Sequence, residues 1–172
     1  MRKFIIMGVQ GSGKGTQAKL LAGRLELEHI SVGDIIFGFI IDGFPRNQPQ
    51  ARFFLESYDL DAVILLEVPD QLVRDRILSR RLCSQCGVDY NLIFHRPATA
   101  GLCDVCGGEL VARADDTPEA VQGRLRDYHD KTRPILDLFR SKEVIVAVDA
   151  TGPVAQVQAA IREQLGVEMS SV

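Results

Sequence analysis

The sequence predicts an α/β fold in which helices cover both faces of a doubly wound parallel sheet. Four short apolar runs, rich in β-branched residues, lie at Lys3–Met7, 38–42, 62–68 and 144–148, as expected of strands that are buried on both faces. Helical patterns separate these runs, and the alternation indicates right-handed βαβ units. A glycine-rich loop also joins the first strand to the first helix.

The predicted helices follow from apolar spacing and from their terminal residues. Lys14–Leu25 carries apolar residues at helical spacing. Further helices are predicted at 48–58, 70–82, 118–139 and 153–165. Proline early in the first turn favours two of these starts. Asp70 and Thr117 are predicted to be N-caps.

The composition limits the classes of protein to which the chain can belong. With 172 residues, 46% of them hydrophobic, it can bury one sizeable core. Nothing approaches the ~20 consecutive apolar residues that span a bilayer, so we expect no membrane partner, a cytoplasmic location and a monomer. A formal charge of −3 and a pI near 5.6 argue against a general nucleic-acid-binding protein.

The glycine-rich loop at 8–16 has the G-x-x-x-x-G-K pattern of a phosphate-binding loop. Its backbone N–H groups and the following helix N-terminus would converge on phosphate oxygens. Lys14 would bind the β- and γ-phosphates, and Thr16 stands where its hydroxyl can meet phosphate or a magnesium shell. The predicted nucleotide-binding residues are Gly11, Ser12, Gly13, Lys14, Gly15 and Thr16. The alternative is a glycine-rich turn with an incidental lysine.

Two C-x-x-C pairs, Cys83 with Cys86 and Cys103 with Cys106, have sixteen residues between them, a spacing typical of a zinc ribbon. Four thiolates hold zinc tetrahedrally and leave no open position, so the predicted zinc is structural. Disulfides are not expected in a reducing cytoplasm. Redox pairs, an iron site and a nucleic-acid-binding ribbon are the alternatives, although the segment from Cys83 to Cys106 has a single arginine, Arg96, and no lysine.

Arginines cluster on both sides of the cysteine-bearing insert. They are Arg74, Arg76, Arg80 and Arg81 before it, and Arg113, Arg124, Arg126 and Arg133 after it. Guanidinium groups bind phosphate oxygens bidentately, and phosphoryl transfer needs positive charge around the transferring group. A solvated helix face would also explain arginines at these positions, so only a matched pattern can decide between the two.

Such a pattern is present in three further motifs. They are Asp42-Gly43-Phe44-Pro45-Arg46, the arginine-rich segment 76–81, and Arg113-Ala114-Asp115-Asp116 followed by Arg124-Leu125. Together with the phosphate loop and the cysteines, they resemble adenylate kinase of the bacterial long form, whose flap (the LID) binds zinc in many members. The resemblance covers 1–35 and 38 to about 165. It implies a P-loop NTPase-type core at 1–82 and 117–172 and a zinc-ribbon-like LID at 83–116.

The resemblance also implies a role for each matched residue. Lys14 would hold the ATP phosphates, Arg46 would bind the AMP phosphate beside Gly43, and Asp42 would order magnesium-bound water. Gln50 would read the adenine of AMP, while Arg76 and the backbone near 150–154 would flank the adenine of ATP. The flap arginines would be Arg76, Arg80, Arg113 and Arg124. Direct transfer between ATP and AMP would give two ADP, with magnesium accompanying ATP.

The chain departs from the family between residues 35 and 38. Family members have a longer segment there, a small helical arm that receives AMP. Parallel strands near 29–31 and at 38–42 usually need a crossover of about a dozen residues or more, whereas only six separate them here. The arm is either deleted or left out of the 172 residues, and an intact mass near 19.0 kDa would indicate a deletion.

Three functions are consistent with this pattern. The first is adenylate kinase, impaired in AMP binding if the arm is deleted. The second is an ATP-binding core without efficient transfer, which would hydrolyse ATP slowly. The third is another small-substrate kinase of the same fold. The flap arginines and the Asp42–Arg46 motif favour the first over the third.

Overall fold

A computed structural model describes residues 3–25, 27–30, 38–142 and 144–167 of the chain. Its strands are β1 (Lys3–Met7), β2 (Glu28–Ile30), β3 (Phe39–Asp42), β4 (Ala62–Glu67), β5 (Arg80–Cys83), β6 (Asp89–Asn91), β7 (Leu110–Val111) and β8 (Ile145–Asp149). Its helices are α1 (Lys14–Leu25), α2 (Gln48–Ser57), α3 (Asp70–Leu78), α4 (Pro118–Asp127), α5 (Ile135–Arg140) and α6 (Val154–Gln164), with a π-helix at Tyr128–Thr132.

The main sheet contains five parallel strands in the order β2-β3-β1-β4-β8. The central strand β1 pairs with β3 on one side and β4 on the other. β2 pairs in parallel with β3, in agreement with the parallel strands predicted near 29–31 and at 38–42. Residues 35–37, which bridge the predicted gap, lie outside the described residues.

Helices cover both faces of this sheet, which confirms the predicted doubly wound architecture. Alternate residues of β1 point to opposite faces. Phe4 and Ile6 join a core with α1 and α6, whereas Ile5 and Met7 join a second core with α2 and α5. No helix within the described ranges has both the length and the apolar content that crossing a membrane requires.

A third apolar cluster fixes the helices that flank the flap against the phosphate loop. Val73 and Ile77 of α3 pack with Val121 and Leu125 of α4, and Val9 of the phosphate loop joins them. This contact matters for the site, because α3 leads into the flap and α4 carries the chain back to the sheet.

The flap is a small antiparallel sheet in the order β6-β5-β7. Its first strand starts at Arg80, and Arg81 pairs with Tyr90 of β6. The predicted continuation of the third helix to residue 82 is therefore wrong, because α3 ends at Leu78 and strand pairing takes over. The division of the chain at residue 83 into core and LID stays a prediction.

Two other helix predictions need correction. Asp70 is not an N-cap: Pro69 precedes α3 without a side-chain cap, and the Asp70 carboxylate contacts His129 Nε2 at 3.0 Å. The single helix predicted at 118–139 is interrupted, since α4 passes into the π-helix and then α5. The N–H of Arg133 bonds to the carbonyl of Tyr128 at 2.8 Å, the i→i+5 pattern of a π-helix.

The N-cap of α4 is confirmed and provides a test of how that helix is held. The hydroxyl of Thr117 accepts a hydrogen bond from the N–H of Ala120 at 3.2 Å. We expect Thr117→Ala to cost about 1 kcal/mol by removing this acceptor, and so to lower the thermal midpoint by about 2–4 °C in a chain of this size. Thr117→Ser keeps the hydroxyl and is the control in calorimetry. An equal loss in both variants would contradict the capping role.

Candidate active site and metal centre

The phosphate loop connects the end of β1 to the start of α1. Gly11 and Gly13 have φ angles of 84° and 94°, which side-chain-bearing residues rarely adopt. A Cβ on Gly11 would lie 2.8 Å from Cγ1 of Ile77, so the loop also packs closely on α3. Ser12 is only 2% exposed, and its Oγ has no hydrogen-bond partner among the described residues. The loop is thus pre-shaped, with a polar atom unsatisfied inside it.

Lys14 closes the phosphate loop on itself. Its Nζ donates to the carbonyl oxygen of Val9 at 2.9 Å. Burial lowers the pKa of Lys14 from 10.5 to about 8; the charge of Asp42 raises it in part, and the charge of Arg46 lowers it further. Burial removes the water that would stabilise the positive charge of Lys14. The negative charge of a bound phosphate would stabilise it instead, so nucleotide binding favours the protonated lysine.

The turn after β3 brings Asp42 and Arg46 to the same edge of the sheet as the phosphate loop. Gly43, with φ of 76°, allows the chain to reverse, and its carbonyl oxygen accepts from Arg46 Nε at 2.8 Å. A Cβ on Gly15 would lie 3.1 Å from Asp42 Oδ2. The Asp42 carboxylate therefore stands directly over the first turn of α1.

Gln50 supports this turn from the start of α2. Its Oε1 accepts the backbone N–H of Arg46 at 2.8 Å, and its own N–H donates to Oδ1 of the N-cap Asn47 at 3.0 Å. The two bonds cap the helix and fix the main chain of Arg46. In this conformation the Gln50 carbonyl is already occupied, and its implied role in reading adenine stays a prediction.

A cavity of about 610 Å³ brings five of the predicted site residues together, namely Lys14, Asp42, Gly43, Arg46 and Arg124. Residues 42–46 form one part of its wall, and α4 and the π-helix form another. Sequence reasoning missed five of the lining residues, which are Gln10, Asp127, Tyr128, Lys131 and Thr132. Four of the five follow Arg124 at near-helical spacing, so that spacing was the signal that could have found them.

Two consecutive aspartates, Asp115 and Asp116, form ion pairs with the flap arginines. Arg80 makes a two-pronged contact with Asp116, with Nε and NH2 at 2.9 and 2.7 Å from its oxygens. Arg124 reaches Asp116 at 3.3 Å and also bonds to Asp115. Arg113 Nε lies 3.0 Å from Asp115. The hydrogen bond from Arg124 lowers the pKa of Asp115 below its usual value.

Of these three arginines, only Arg124 lines the cavity. Arg80 and Arg113 are linked to it through the shared carboxylates, so the predicted arginines are neighbours in space although they come from both ends of the flap. The carboxylates hold the guanidinium groups together in spite of their like charge. Phosphate oxygens could replace either aspartate at the same donors.

Arg76 lies apart from this group, on the side of α3 that faces residues 150–154. Its NH2 donates to the carbonyl oxygen of Thr151 at 2.9 Å, and its guanidinium carbon lies 5.1 Å from the centre of the Phe94 ring. Phe94 is 52% exposed. Sequence reasoning missed Phe94, because nothing local to it indicates that it meets Arg76.

The four cysteines form one cluster, as the C-x-x-C spacing predicts. Cys83, Cys86, Cys103 and Cys106 are unpaired thiols whose sulfur atoms all lie within 4.8 Å of one another. The closest sulfur pairs, Cys83–Cys106 and Cys86–Cys103, are 3.4 and 3.6 Å apart. Zinc–sulfur bonds of ~2.3 Å in a tetrahedron place sulfurs ~3.8 Å apart. The cluster therefore fits a structural zinc ion.

Two similar turns and one tyrosine surround the cysteine cluster. The two knuckles repeat the same turn: the N–H of Gly87 bonds to the Cys83 carbonyl at 3.0 Å and that of Gly107 to the Cys103 carbonyl at 2.8 Å. The buried Tyr90 hydroxyl lies 3.5 Å from Cys103 Sγ and helps to lower the pKa of that thiol to about 6. Such second-layer hydrogen bonds orient metal ligands.

These features define a class: a P-loop kinase fold, in which a phosphate loop at the edge of a parallel sheet faces arginines from a flap. Comparison with known proteins narrows the class. The family model described as Adenylate kinase matches residues 36–144, and a model described as AAA domain matches residues 7–38. The chain belongs to the adenylate kinase family.

Curated bacterial relatives named adenylate kinase match over most of the chain. The protein of Symbiobacterium thermophilum is 37% identical, over 93% of this chain and 96% of the relative. The protein of Clostridium tetani is 35% identical, over 86% of this chain and 91% of the relative. That of Caldicellulosiruptor bescii is 32% identical, over 96% of this chain and 100% of the relative. The alignments run over 208, 196 and 214 residues. Since the chain has 172 residues, each relative contains residues that have no counterpart here.

The metal centre predicts one tightly held zinc ion per chain. Cys103→Ser should lower the thermal midpoint of the flap and leave the main sheet folded, because structural zinc contributes folding free energy directly. Val105→Ala, at an exposed position of the same knuckle, is the matched control. Elemental analysis of gently purified protein is the primary measurement, and less than about half an equivalent of zinc would count against the site.

The lowered pKa of the partly buried Lys14 predicts opposite pH trends for stability and for nucleotide binding. Its folded-state pKa of about 8 lies below the ordinary 10.5, so the unfolded chain binds more protons between these values and stability rises with pH there. ATP affinity should instead fall as pH rises above about 8, because binding needs the charged lysine. Denaturation and calorimetric titrations from pH 7 to 10 measure both. Lys14→Met should flatten both trends, whereas Lys19→Met, an exposed control on α1, should keep them.

Proposed function

We propose that the chain catalyses the reversible, magnesium-dependent transfer of the γ-phosphoryl group of ATP to AMP, giving two molecules of ADP. The observation that carries this proposal is the cavity at which Lys14, Arg46 and Arg124 meet. Three cations around one cavity suit a reaction in which the phosphates of two nucleotides must approach against their mutual repulsion. The family to which the chain belongs supports the same reaction.

In this proposal the chain positions the nucleotides and stabilises charge. The phosphate loop and Lys14 bind the donor phosphates, Arg46 binds the acceptor phosphate, and Arg124 reaches the group in transit. An oxygen of the AMP phosphate forms the new bond to the γ-phosphorus as the bond to the β,γ-bridging oxygen breaks, and the leaving oxygen stays on ADP. No protein side chain becomes a covalent intermediate, so the catalytic contribution is alignment and electrostatics.

Magnesium fits the donor side of the cavity beside Asp42. Carboxylate oxygens and water are ligands that this hard cation prefers, and the bound ion would neutralise charge on the β- and γ-phosphates. The chain contributes the position of Asp42, whose Oδ2 would lie only 3.1 Å from a Cβ on residue 15. Glycine at that position keeps the space between carboxylate and phosphate loop open.

The adenine of ATP would lie against Arg76. This guanidinium is held in place by the Thr151 carbonyl and by the Phe94 ring, and a planar cation fixed in this way can stack on a base. Phe94 closes the same region from the flap. A monomeric state and a cytoplasmic location stay predictions.

A second candidate function is an ATP-binding core that transfers phosphate to water slowly. One observation favours it: the relatives contain residues that this chain lacks. We infer that the missing segment is the AMP-binding arm, between residues 35 and 38. Without it the acceptor would lose a base pocket and phosphate contacts, and each lost hydrogen bond costs roughly 0.5–3 kcal/mol.

A coupled assay that detects ADP, run with ATP alone and then with added AMP, separates the two functions. Stimulation by AMP supports the kinase, whereas slow ADP release that AMP does not change supports the ATPase. Calorimetric titration of mass-verified protein with AMP and with ATP measures the state of the acceptor half. Micromolar AMP affinity with full turnover would overturn the inferred loss of the arm.

Site variants test the roles within the same assay. Arg124→Ala should lower kcat and kcat/KM together by about 10²–10³-fold, since its contact to the transferring group is made mainly in the transition state. Lys14→Met should remove most transfer. Arg126→Ala is the matched control, because this exposed arginine lies on the same helix and does not line the cavity. Wild-type turnover in the Arg124 variant would show that the assigned role is wrong.

A further inference from the structure

The π-helix changes what the far end of α4 presents to the cavity. Asp127, Tyr128, Lys131 and Thr132 all line the cavity together with Arg124, so one continuous face of α4 and the π-helix is turned toward the phosphate loop. Single π-turns inside α-helices are frequently found at functional sites. Lys131 is the cation on this face that the proposed reaction does not use.

The cavity includes parts of both the acceptor and the donor side of the site. Its lining contains the turn Gly43 to Arg46, whose arginine is assigned to the AMP phosphate, together with Gly8, Gln10 and Lys14 of the phosphate loop. A cation that lines this cavity therefore lies around the space that the acceptor phosphate must enter, and separate titrations with AMP and ATP distinguish the acceptor from the donor nucleotide.

Lys131 is charged and only loosely held. Its Nζ lies 2.6 Å from Oδ1 of Asp127, one turn earlier, and both side chains are 66% exposed. The hydrogen bond that Lys131 donates to Asp127 raises the pKa of Lys131. Ion pairs this exposed contribute little, because water screens them. A phosphate dianion in the cavity offers Lys131 a more highly charged partner than a single carboxylate.

We propose that Lys131 binds the phosphate of the acceptor nucleoside monophosphate, leaving Asp127 when that nucleotide enters. The inference rests on the proposed function, because it needs an acceptor phosphate in this cavity. It assigns a second cation to the acceptor beside Arg46, in a chain whose acceptor half is inferred to be reduced. In the free protein Lys131 forms an ion pair with Asp127, so Lys131 exchanges one anionic partner for another when the nucleotide binds.

The test compares nucleotide binding by Lys131→Met, Lys131→Gln, Lys131→Arg and the matched control Lys142→Met, which removes an exposed lysine outside the cavity. Calorimetry gives separate dissociation constants for AMP and ATP. The Met and Gln variants should weaken AMP binding about tenfold, a loss of about 1.4 kcal/mol, with ATP binding unchanged. Arginine keeps the charge and should restore most of the affinity. Equal weakening of AMP and ATP, or unchanged AMP binding, would overturn the proposal.

Asp127→Asn tests the exchange of partners. The asparagine lacks the carboxylate that pairs with Lys131 in the wild-type protein. Lys131 is then free to bind phosphate, and one negative charge that repels phosphate is removed from the cavity, so AMP should bind more tightly. Weaker AMP binding in this variant, equal to the loss in Lys131→Met, would overturn the exchange. Because the readout is binding, it does not depend on turnover. Wild-type protein that binds AMP without transferring phosphate contradicts the proposed function alone, and the Lys131 series still decides the inference.

Discussion

The buried carboxylate of Asp116 is the interaction on which the site depends. Its side chain is 2% exposed and contacts Arg80 of the first flap strand and Arg124 of α4. A carboxylate buried this deeply is stable only with good charged partners. It therefore links β5, the strand at which the flap begins, to α4, the helix that follows the flap. It also holds Arg124 beside the cavity.

Three of the basic side chains that line the cavity, Lys14, Arg124 and Lys131, are likewise close to acidic side chains. Asp42 raises the pKa of Lys14 against the effect of burial, Asp115 and Asp116 hold Arg124, and Asp127 holds Lys131. These pairs keep like charges close together without a ligand. In the proposed reaction nucleotide phosphates would replace these carboxylates, so that the cations need little rearrangement, which is what pre-organised electrostatics requires.

Short motifs could be predicted from the sequence because their geometry is local. The phosphate loop, the Thr117 cap and the cysteine cluster each depend on residues a few positions apart or on strict ligand chemistry. Residues 80–82 were misassigned to a helix because their strand character comes from pairing with β6 and β7, which lie farther along the chain. Asp70 with His129, and Arg76 with Phe94, are likewise contacts between distant segments, and no local pattern announces them.

The repeated cysteine knuckle has a consequence for how the flap holds together. Its buried cluster contains only Cys83, Tyr90, Cys103 and Leu110, too few apolar groups to stabilise a fold by themselves. A metal ion shared by both knuckles would act as a reversible cross-link that closes a loop of chain without any oxidant. The strength of such a cross-link scales with free metal. With zinc at this site, the order of the flap would be coupled to the supply of zinc.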